Sequence, residues 1–314
     1  MYLSVKKVSP IKVSFFGSAN FSIPTLAELL NDDEIDVKSI ITLPPAEKNR
    51  GKKVSNNVVY DFAIQNGFDA DLIFTPKTLK NNTELVAKLK GQDLDFIVVV
   101  AYGKIITKDI IDLPKYEILN LHPSALPKYR GAAPIERAIE NGETSAEICI
   151  MKVDVGLDTG DVAVRQKYLI PQNFGANKIV PEIAKIGAKL MVETIKKCKN
   201  GQIHFEKQKE EGMVYADKIE KSALFIDLGD KNLDAVSTFN KIRAFNNHGC
   251  CYFILDGIRV KIIEATIQIG DFTFKGFDKT TGEIVLKNGK IIPQILQKEG
   301  KNPAKLKDFL NGLR

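Results

Sequence analysis

The chain has 314 residues, of which 44% are hydrophobic and 27% charged, and a formal net charge of +6 at pH 7. That length has room for two domains, and the composition is ordinary for a globular protein. No apolar run reaches the roughly 18 residues of a membrane span, and residues 1–10 lack the apolar core of a signal peptide, so we expect a cytoplasmic protein.

Strand and helix patterns alternate over the first part of the chain. Short apolar runs predict strands at 11–17, 36–42, 72–75, 95–101 and 116–122. Apolar residues at helical spacing predict helices at 21–30, 58–65 and 81–90. The run 95–101 is fully apolar, which is typical of a strand covered on both faces. The alternation predicts an α/β fold with a doubly wound, mostly parallel, Rossmann-like sheet.

Two further strands and one long helix complete this region. The strands are predicted at 146–153 and 162–169, and the amphipathic helix at 177–197. The chain then turns polar, so we place a linker at 200–215. The predicted first domain is therefore 1–199, and the second is 216–314.

The second domain has a different pattern, with a helix at 233–245, strands at 251–255, 258–265, 282–286 and 290–296, and a closing helix at 302–313. Short strands joined by Gly-containing turns predict a small OB-like β-barrel. Residues 241–314 carry 13 Lys and Arg against 7 Asp and Glu. This basic charge suggests a polyanionic partner, and a solvated lysine-rich surface is the alternative.

Three polar residues at the end of one strand and in a later turn are the candidates for chemistry. Asn120 and His122 are two residues apart, so both side chains leave the same face of their strand. Ligands of open parallel sheets bind beyond the carboxyl ends of the strands, where this pair is expected. Asp158 lies between Gly156 and Gly160, in a turn that can approach closely.

An amide, an imidazole and a carboxylate together suit direct acyl or formyl transfer. An amide NH₂ or an imidazolium can stabilise the oxyanion that forms when an amine attacks a carbonyl. A histidine can take the proton of the amine and return it to the leaving nitrogen, and a carboxylate can fix the imidazole tautomer. The alternative is that His122 only ends a strand and Asp158 is a turn residue.

Other chemistries lack their signatures in this sequence. The turn Gly17-Ser-Ala-Asn20 does not match G-x-G-x-x-G, and the chain has neither a phosphate-loop motif nor a G-x-S-x-G motif. A nicotinamide dehydrogenase is therefore remote. Three histidines and four cysteines without metal-site spacing predict no metal, and we expect reduced, structural thiols.

The motifs around the three candidate residues resemble those of the folate-dependent formyltransferases. The chain carries Asn120-Leu-His-Pro-Ser-Ala-Leu-Pro-Lys-Tyr-Arg-Gly131 and, later, Leu157-Asp-Thr-Gly-Asp161. The resemblance covers nearly the whole chain and is most specific over 95–161. Within the family it is strongest to the branch that uses 10-formyltetrahydrofolate to formylate the α-amine of methionine on initiator tRNA. It implies such a reaction here, in a monomer and without a metal.

The resemblance also implies roles for individual residues. It makes Asn120, His122 and Asp158 the catalytic residues. It places folate contacts on Ser124, Ala125, Leu126 and Pro127, with Ala125 where the family usually has Leu. It places the pterin pocket on Tyr102, Gly103, Lys104, Ile105 and Ile106 and on the loop 154–157.

A basic loop at 44–53 favours tRNA as the substrate. It carries four basic residues against one acidic residue, which is the pattern of a phosphate-binding segment. A solvated loop is the alternative. The resemblance places contacts to the acceptor stem of tRNA on Arg50, Lys52 and Lys53.

Two other functions stay open from the sequence. One is a sugar-nucleotide formyltransferase that uses the same donor, and the other is a folate- or tRNA-binding protein without turnover. The chain also departs from the family at Asn246-Asn-His-Gly249, where Asn-Pro-Trp-Pro is usual, and it contains no Trp. We expect this departure to change packing at the start of the second domain and not the chemistry.

Overall fold

The computed structural model describes residues 9–48, 53–273 and 276–313. The chain forms two compact units, each made of separate segments. Unit 1 comprises the described residues up to Arg130 together with Glu147–Gln166 and Pro181–Val214. Unit 2 comprises Gly131–Ala146, Lys167–Val180 and the described residues from Tyr215 onwards. The domain boundaries at 199 and 216 stay a prediction.

The strands in chain order are β1 (Ile11–Gly17), β2 (Ile35–Ile41), β3 (Ala46–Lys48), β4 (Lys53–Ser55), β5 (Ile73–Phe74), β6 (Phe96–Val100), β7 (Glu117–His122), β8 (Lys128–Gly131), β9 (Ser145–Lys152), β10 (Val162–Leu169), β11 (Val214–Ala216), β12 (Tyr252–Leu255), β13 (Ile258–Ile269), β14 (Gly276–Phe277), β15 (Ile284–Leu286), β16 (Gly289–Lys298) and β17 (Ala304–Lys305). The α-helices are α1 (Ile23–Asn31), α2 (Val58–Gln65), α3 (Thr83–Lys90), α4 (Lys108–Ile111), α5 (Pro134–Glu140), α6 (Ala176–Lys199), α7 (Ala235–Phe245) and α8 (Leu306–Asn311). Short 3₁₀ turns lie at Asn20–Ser22, Ala70–Leu72 and Lys221–Leu224.

The larger sheet has the strand order β10-β9-β7-β6-β1-β2-β5 among the described residues. Strand β1 pairs in parallel with both β2 and β6, β2 pairs in parallel with β5, and β6 with β7. Strand β9 pairs antiparallel to β7, so the parallel part of the sheet ends there. The chain winds outwards from β1 in both directions, which confirms the predicted doubly wound, mostly parallel sheet.

The central strands of this sheet are buried under other elements. All five residues of β6 are buried, as expected for a strand covered on both faces. Helix α6 packs closely behind β7, because a Cβ atom at Gly187 would lie 2.6 Å from Leu121 Cδ1. Leu121 lies between Asn120 and His122 in the sequence, so the glycine lets the helix press directly on the strand that carries both candidates. No helix within the described residues is both long enough and apolar enough to cross a bilayer.

Several element boundaries differ from the predicted ones for local reasons. The helix predicted at 81–90 begins at Thr83, because the side chain of Asn82 caps it by accepting from Leu85 N. The helix predicted at 302–313 is limited to α8, because Ala304 and Lys305 pair with β16 instead. The basic segment predicted as a loop contains β3 and β4, which pair antiparallel on either side of 49–52.

Unit 2 contains the second sheet, with the order β12-β13-β16-β15-β14 among its described residues, and β17 added on β16. Neighbouring strands in this order pair antiparallel. Strand β13 is longer than predicted, and its pairing with β16 shifts register next to Ala265, opposite Pro293. A proline cannot donate to the ladder, so an irregularity at this position is expected. The antiparallel sheet confirms the class predicted for the second domain.

The departure at Asn246-Asn-His-Gly249 is accommodated by polar contacts in unit 2. Glu136 of α5 accepts hydrogen bonds from Asn247 Nδ2 at 2.9 Å and from His248 Nε2 at 2.8 Å. Burial alone would raise the pKa of Glu136, but these two bonds hold it below its ordinary value. Helix α5 and the segment that follows α7 are thus joined by hydrogen bonds to a buried carboxylate at the position where the resemblance implies an aromatic motif.

We predict that Glu136→Gln lowers the free energy of unfolding by about 1–2 kcal/mol at pH 7, since it removes one partner of a buried charged contact. The native pKa of Glu136 is depressed, so its contribution is complete above the unfolded pKa and is lost as the pH falls through the native pKa. Urea unfolding at pH 7 and at acid pH should show a difference that shrinks on acidification. The control Glu140→Gln changes a more exposed carboxylate on the same helix, 26% exposed against 10% for Glu136, and should have a smaller effect. A difference that is constant with pH would contradict the prediction.

Candidate active site

Strand β7 presents two of the predicted catalytic residues at its carboxyl end. Asn120 lies between Val99 of β6 and Met151 of β9, and His122 lies opposite Cys149 of β9. His122 is buried, with 4% of its surface exposed, whereas Asn120 is half-buried. The alternation along a strand places both side chains on one face, as the sequence predicted.

The third predicted catalytic residue, Asp158, lies in the turn that joins β9 to β10. Its backbone adopts φ +52°, a left-handed conformation that Asp tolerates better than most residues. The turn lies against β9, because a Cβ atom at Gly160 would collide with the backbone carbonyl of Lys152. This path brings Asp158 Oδ2 to 3.6 Å from His122 Nδ1. The structure therefore brings together two side chains that are far apart in the sequence.

The other ring nitrogen of His122 lies 3.0 Å from the backbone carbonyl of Tyr129, in a buried contact. A carbonyl oxygen can only accept, so Nε2 carries the hydrogen and Nδ1 is free to accept a proton. In this geometry the tautomer is fixed by a backbone carbonyl, a role that sequence reasoning gave to the carboxylate. Asp158 then faces the nitrogen that becomes positively charged on protonation.

Sequence reasoning missed Tyr129, because every residue has a carbonyl and no side-chain pattern marks the one that is used. The feature that marks Tyr129 is its backbone conformation, which only the structure shows. Tyr129 adopts φ +61°, a conformation that bulky residues rarely adopt and that clusters at functional sites.

The predicted folate-contacting run forms a tight turn after β7. Ser124 Oγ donates to the carbonyl of Lys128 at 2.7 Å, and Leu126 packs into a buried cluster with Cys149, Met151 and Val162. Arg165 donates to the carbonyl of Leu126 at 2.7 Å. The side chains of Ala125 and Pro127 are only half-buried. Ser124 and Leu126 therefore anchor the turn, and Ala125 and Pro127 are its more accessible part.

The segment predicted to form the pterin pocket is divided between core and surface. Tyr102 and Ile106 are buried, and burial raises the pKa of Tyr102 to about 12. Lys104 donates to the carbonyls of Pro76 and Lys77 at 2.8 and 2.7 Å, and burial lowers its pKa. Gly103 and Ile105 are exposed. Lys104 thus connects its own segment to the loop that follows β5.

Three large apolar side chains on the two predicted pterin loops are exposed. Ile105 is 83% exposed, and Val155 and Leu157 on the loop after β9 are 72% and 59% exposed. Ile105 follows β6 at the carboxyl edge of the parallel strands, whereas Val155 and Leu157 lie in the turn after the antiparallel β9 that carries Asp158 to His122. Exposed apolar side chains on loops are a feature of ligand-binding surfaces.

The predicted tRNA contacts fall mostly outside the described residues. Arg50 and Lys52 lie in the segment 49–52, and of Lys53 only the backbone is described, as the first residue of β4. Their role stays a prediction.

Cys149 lies beside the site but is not a nucleophile. Burial raises its pKa to about 12, so it is a neutral thiol, and Sγ donates to the carbonyl of Ser124 at 3.0 Å. Among the residues that the structure describes, no group of three or more His, Cys, Asp or Glu side chains could hold a metal ion.

Family models match almost the whole chain. The model described as formyl transferase matches residues 11–195, and the model described as formyl transferase, C-terminal domain, matches 218–314. A methionyl-tRNA formyltransferase from Caldanaerobacter subterraneus is 36% identical over 306 residues, which cover 96% of this chain and 97% of that protein.

Solved structures share the fold at lower identity. A methionyl-tRNA formyltransferase from Clostridium thermocellum aligns with a TM-score of 0.59 at 18% identity, covering 92% of this chain and 98% of that one. An N-formyltransferase from Helicobacter canadensis, in complex with folinic acid and dTDP-3-aminofucose, aligns with a TM-score of 0.66 at 20% identity over 92% and 99% of the two chains. On the family models and the sequence identity, this chain belongs to the formyltransferase family, among the methionyl-tRNA formyltransferases.

Proposed function

We propose that this chain transfers the formyl group of 10-formyltetrahydrofolate, its formyl donor substrate, to the α-amine of methionine on initiator tRNA. The observation that carries the proposal is that His122, on the strand that also presents Asn120, pairs with Asp158 of the turn after β9 through Nδ1, the ring nitrogen that can accept a proton. The choice of tRNA is supported by the 36% identity to a methionyl-tRNA formyltransferase.

In the proposed reaction the amine nitrogen attacks the formyl carbon directly, and the carbonyl electron pair moves onto oxygen. The side-chain amide of Asn120 donates to that oxyanion. His122 accepts the proton of the attacking amine at Nδ1 and returns it to the folate nitrogen as the bond to the formyl carbon breaks. The carboxylate of Asp158 stabilises the imidazolium between these two transfers.

Folate is proposed to bind at the carboxyl edge of the sheet, between the turn 124–127 and the loops at 102–106 and 154–157. The exposed side chains of Ile105, Val155 and Leu157 supply apolar area for a pterin, and the backbone of these loops supplies donors and acceptors. We place the reaction in the cytoplasm and propose that the chain acts as a monomer.

Incubation of the purified chain with the formyl donor and methionyl initiator tRNA tests this function directly. Formylmethionine recovered from the tRNA is the expected product. Uncharged tRNA should give none. Transfer to an amino-sugar nucleotide and none to tRNA would establish the sugar-nucleotide alternative, and binding without any transfer would establish a non-catalytic protein.

We predict that His122→Ala lowers the rate of formyl transfer by at least about 10²-fold, because the proton acceptor is removed. Single-turnover kinetics with saturating donor and tRNA would measure this loss. The matched control is His204→Ala, which changes an exposed histidine and should leave the rate unchanged. Equal rates for His122→Ala and the unaltered chain would remove His122 from the mechanism.

Arg50→Ala should weaken tRNA binding and reduce the slope of log K against log salt concentration by about one, because one phosphate contact is lost. Binding titrations over a range of salt concentrations measure the slope. The control Lys189→Ala removes an exposed charge from α6 and should not change it. An unchanged slope for Arg50→Ala would show that this residue does not contact phosphate.

A further inference from the structure

We propose that Gln208, held by Arg130, is the positioning residue of Asp158. The inference rests on the proposed function, in which Asp158 stabilises the imidazolium of His122. Gln208 belongs to the segment 200–215 that was predicted as a linker, and sequence reasoning gave it no role. Arg130 belongs to the Lys128-Tyr-Arg-Gly131 part of the family motif, whose role in catalysis was also unassigned.

Gln208 and Arg130 are buried together in unit 1, with 8% and 5% of their surfaces exposed. Arg130 donates to Gln208 Oε1 through Nε at 3.1 Å and through a terminal nitrogen at 2.8 Å. Two donors of the guanidinium thus converge on one oxygen and fix its position. Side chains that are buried and fully engaged hold a neighbouring loop more accurately than exposed ones.

The other end of the amide holds the turn that carries Asp158. Gln208 Nε2 donates to the carbonyl of Asp158 at 2.9 Å and to the carbonyl of Gly160 at 2.7 Å. An arginine can only donate and a carbonyl can only accept, so the amide cannot be flipped without losing all four contacts. One accepting carbonyl belongs to Asp158 itself, which adopts φ +52°, and the other to Gly160, two residues later in the same turn. A left-handed residue is costly unless its surroundings fix it, and these bonds do so.

Adjacent residues of one motif therefore orient both partners of the catalytic pair. The carbonyl of Tyr129 binds His122 Nε2, and the side chain of Arg130 fixes Asp158 through Gln208. The distance from Asp158 Oδ2 to His122 Nδ1 is then determined by one short stretch of chain. Gln208 does not touch the reacting atoms in this arrangement, so it acts through Asp158.

Gln208→Glu separates the two halves of this contact. A carboxylate can still accept from Arg130, but it cannot donate to the carbonyls of Asp158 and Gly160. The matched control is Gln172→Glu. Gln172 also accepts from an arginine, Arg243 at 3.3 Å, and donates to a carbonyl, that of Ile170 at 2.9 Å, but it lies in unit 2. Gln208→Met, which removes both halves, reports the effect of losing the Arg130 contact as well.

The expected result for Gln208→Glu is a kcat about 10- to 100-fold lower, with KM for both substrates within about twofold. The chain has three histidines, so ¹⁵N NMR can follow each imidazole separately. We expect the ring signals of His122 to shift in Gln208→Glu, and those of His204 and His248 to stay in place. Gln172→Glu should change neither kcat nor the His122 signals.

Normal kcat in Gln208→Glu would overturn the inference, and so would a rise in KM alone or a loss of kcat with unshifted His122 signals. A failure of the proposed function looks different, because the unaltered chain would then not formylate methionyl-tRNA at all. In that event the NMR comparison still decides whether Gln208 positions the turn. Equal shifts of His122 in Gln208→Glu and Gln172→Glu would likewise show that no specific positioning exists.

Discussion

The buried hydrogen bond between His122 Nε2 and the carbonyl of Tyr129 is the contact on which the proposed chemistry depends. It assigns one ring nitrogen as a donor, so the other is the only one that can take a proton from substrate. The ring is also carried by a central strand, because β7 is hydrogen-bonded to β6 and β9 on both sides. A base held in this way loses little freedom when the substrate arrives, which is how preorganised sites lower a barrier.

The carboxylate partner is positioned by a different kind of constraint. Asp158 lies in a turn, and turns are the less rigid parts of a fold. The close approach of Gly160 to the carbonyl of Lys152 and the two hydrogen bonds donated by Gln208 Nε2 together fix this turn. Strand and turn together thus place an imidazole and a carboxylate at a distance that suits an ion pair once the ring is protonated.

Unit 2 shows how the fold tolerates loss of an aromatic motif. Where the family usually has a tryptophan, this chain buries Glu136 and satisfies it with Asn247 and His248. Arg243 of α7 donates to the carbonyls of Pro171 and Phe174. Buried polar groups of this kind are tolerated because each has partners. The replacement makes this part of the protein dependent on charge, and hence on pH, where the family motif would depend on packing.

Much of the fold was accessible from the sequence because it depends on periodicity. The apolar run of β6, the alternation of strands and helices, and the antiparallel sheet of the second domain all follow from spacing that a reader can count. The boundaries that differed depend on particular hydrogen bonds and not on spacing, as where Ala304 and Lys305 pair with β16 and shorten the last helix. The short strands β3 and β4, in and next to the basic segment, were not predicted because a three-residue strand carries too little pattern to identify.

The sequence by itself determined which side chains could do the chemistry, since the two-residue spacing of Asn120 and His122 sets a shared face on any strand. It did not determine how they are oriented. The carbonyl of Tyr129 and the amide of Gln208 were chosen by the tertiary structure, because a carbonyl is common to all residues and Gln208 reaches Arg130 across 78 positions of sequence. Only the path of the folded chain decides which distant donors and acceptors meet, and those meetings set the tautomer of the base and the position of its carboxylate.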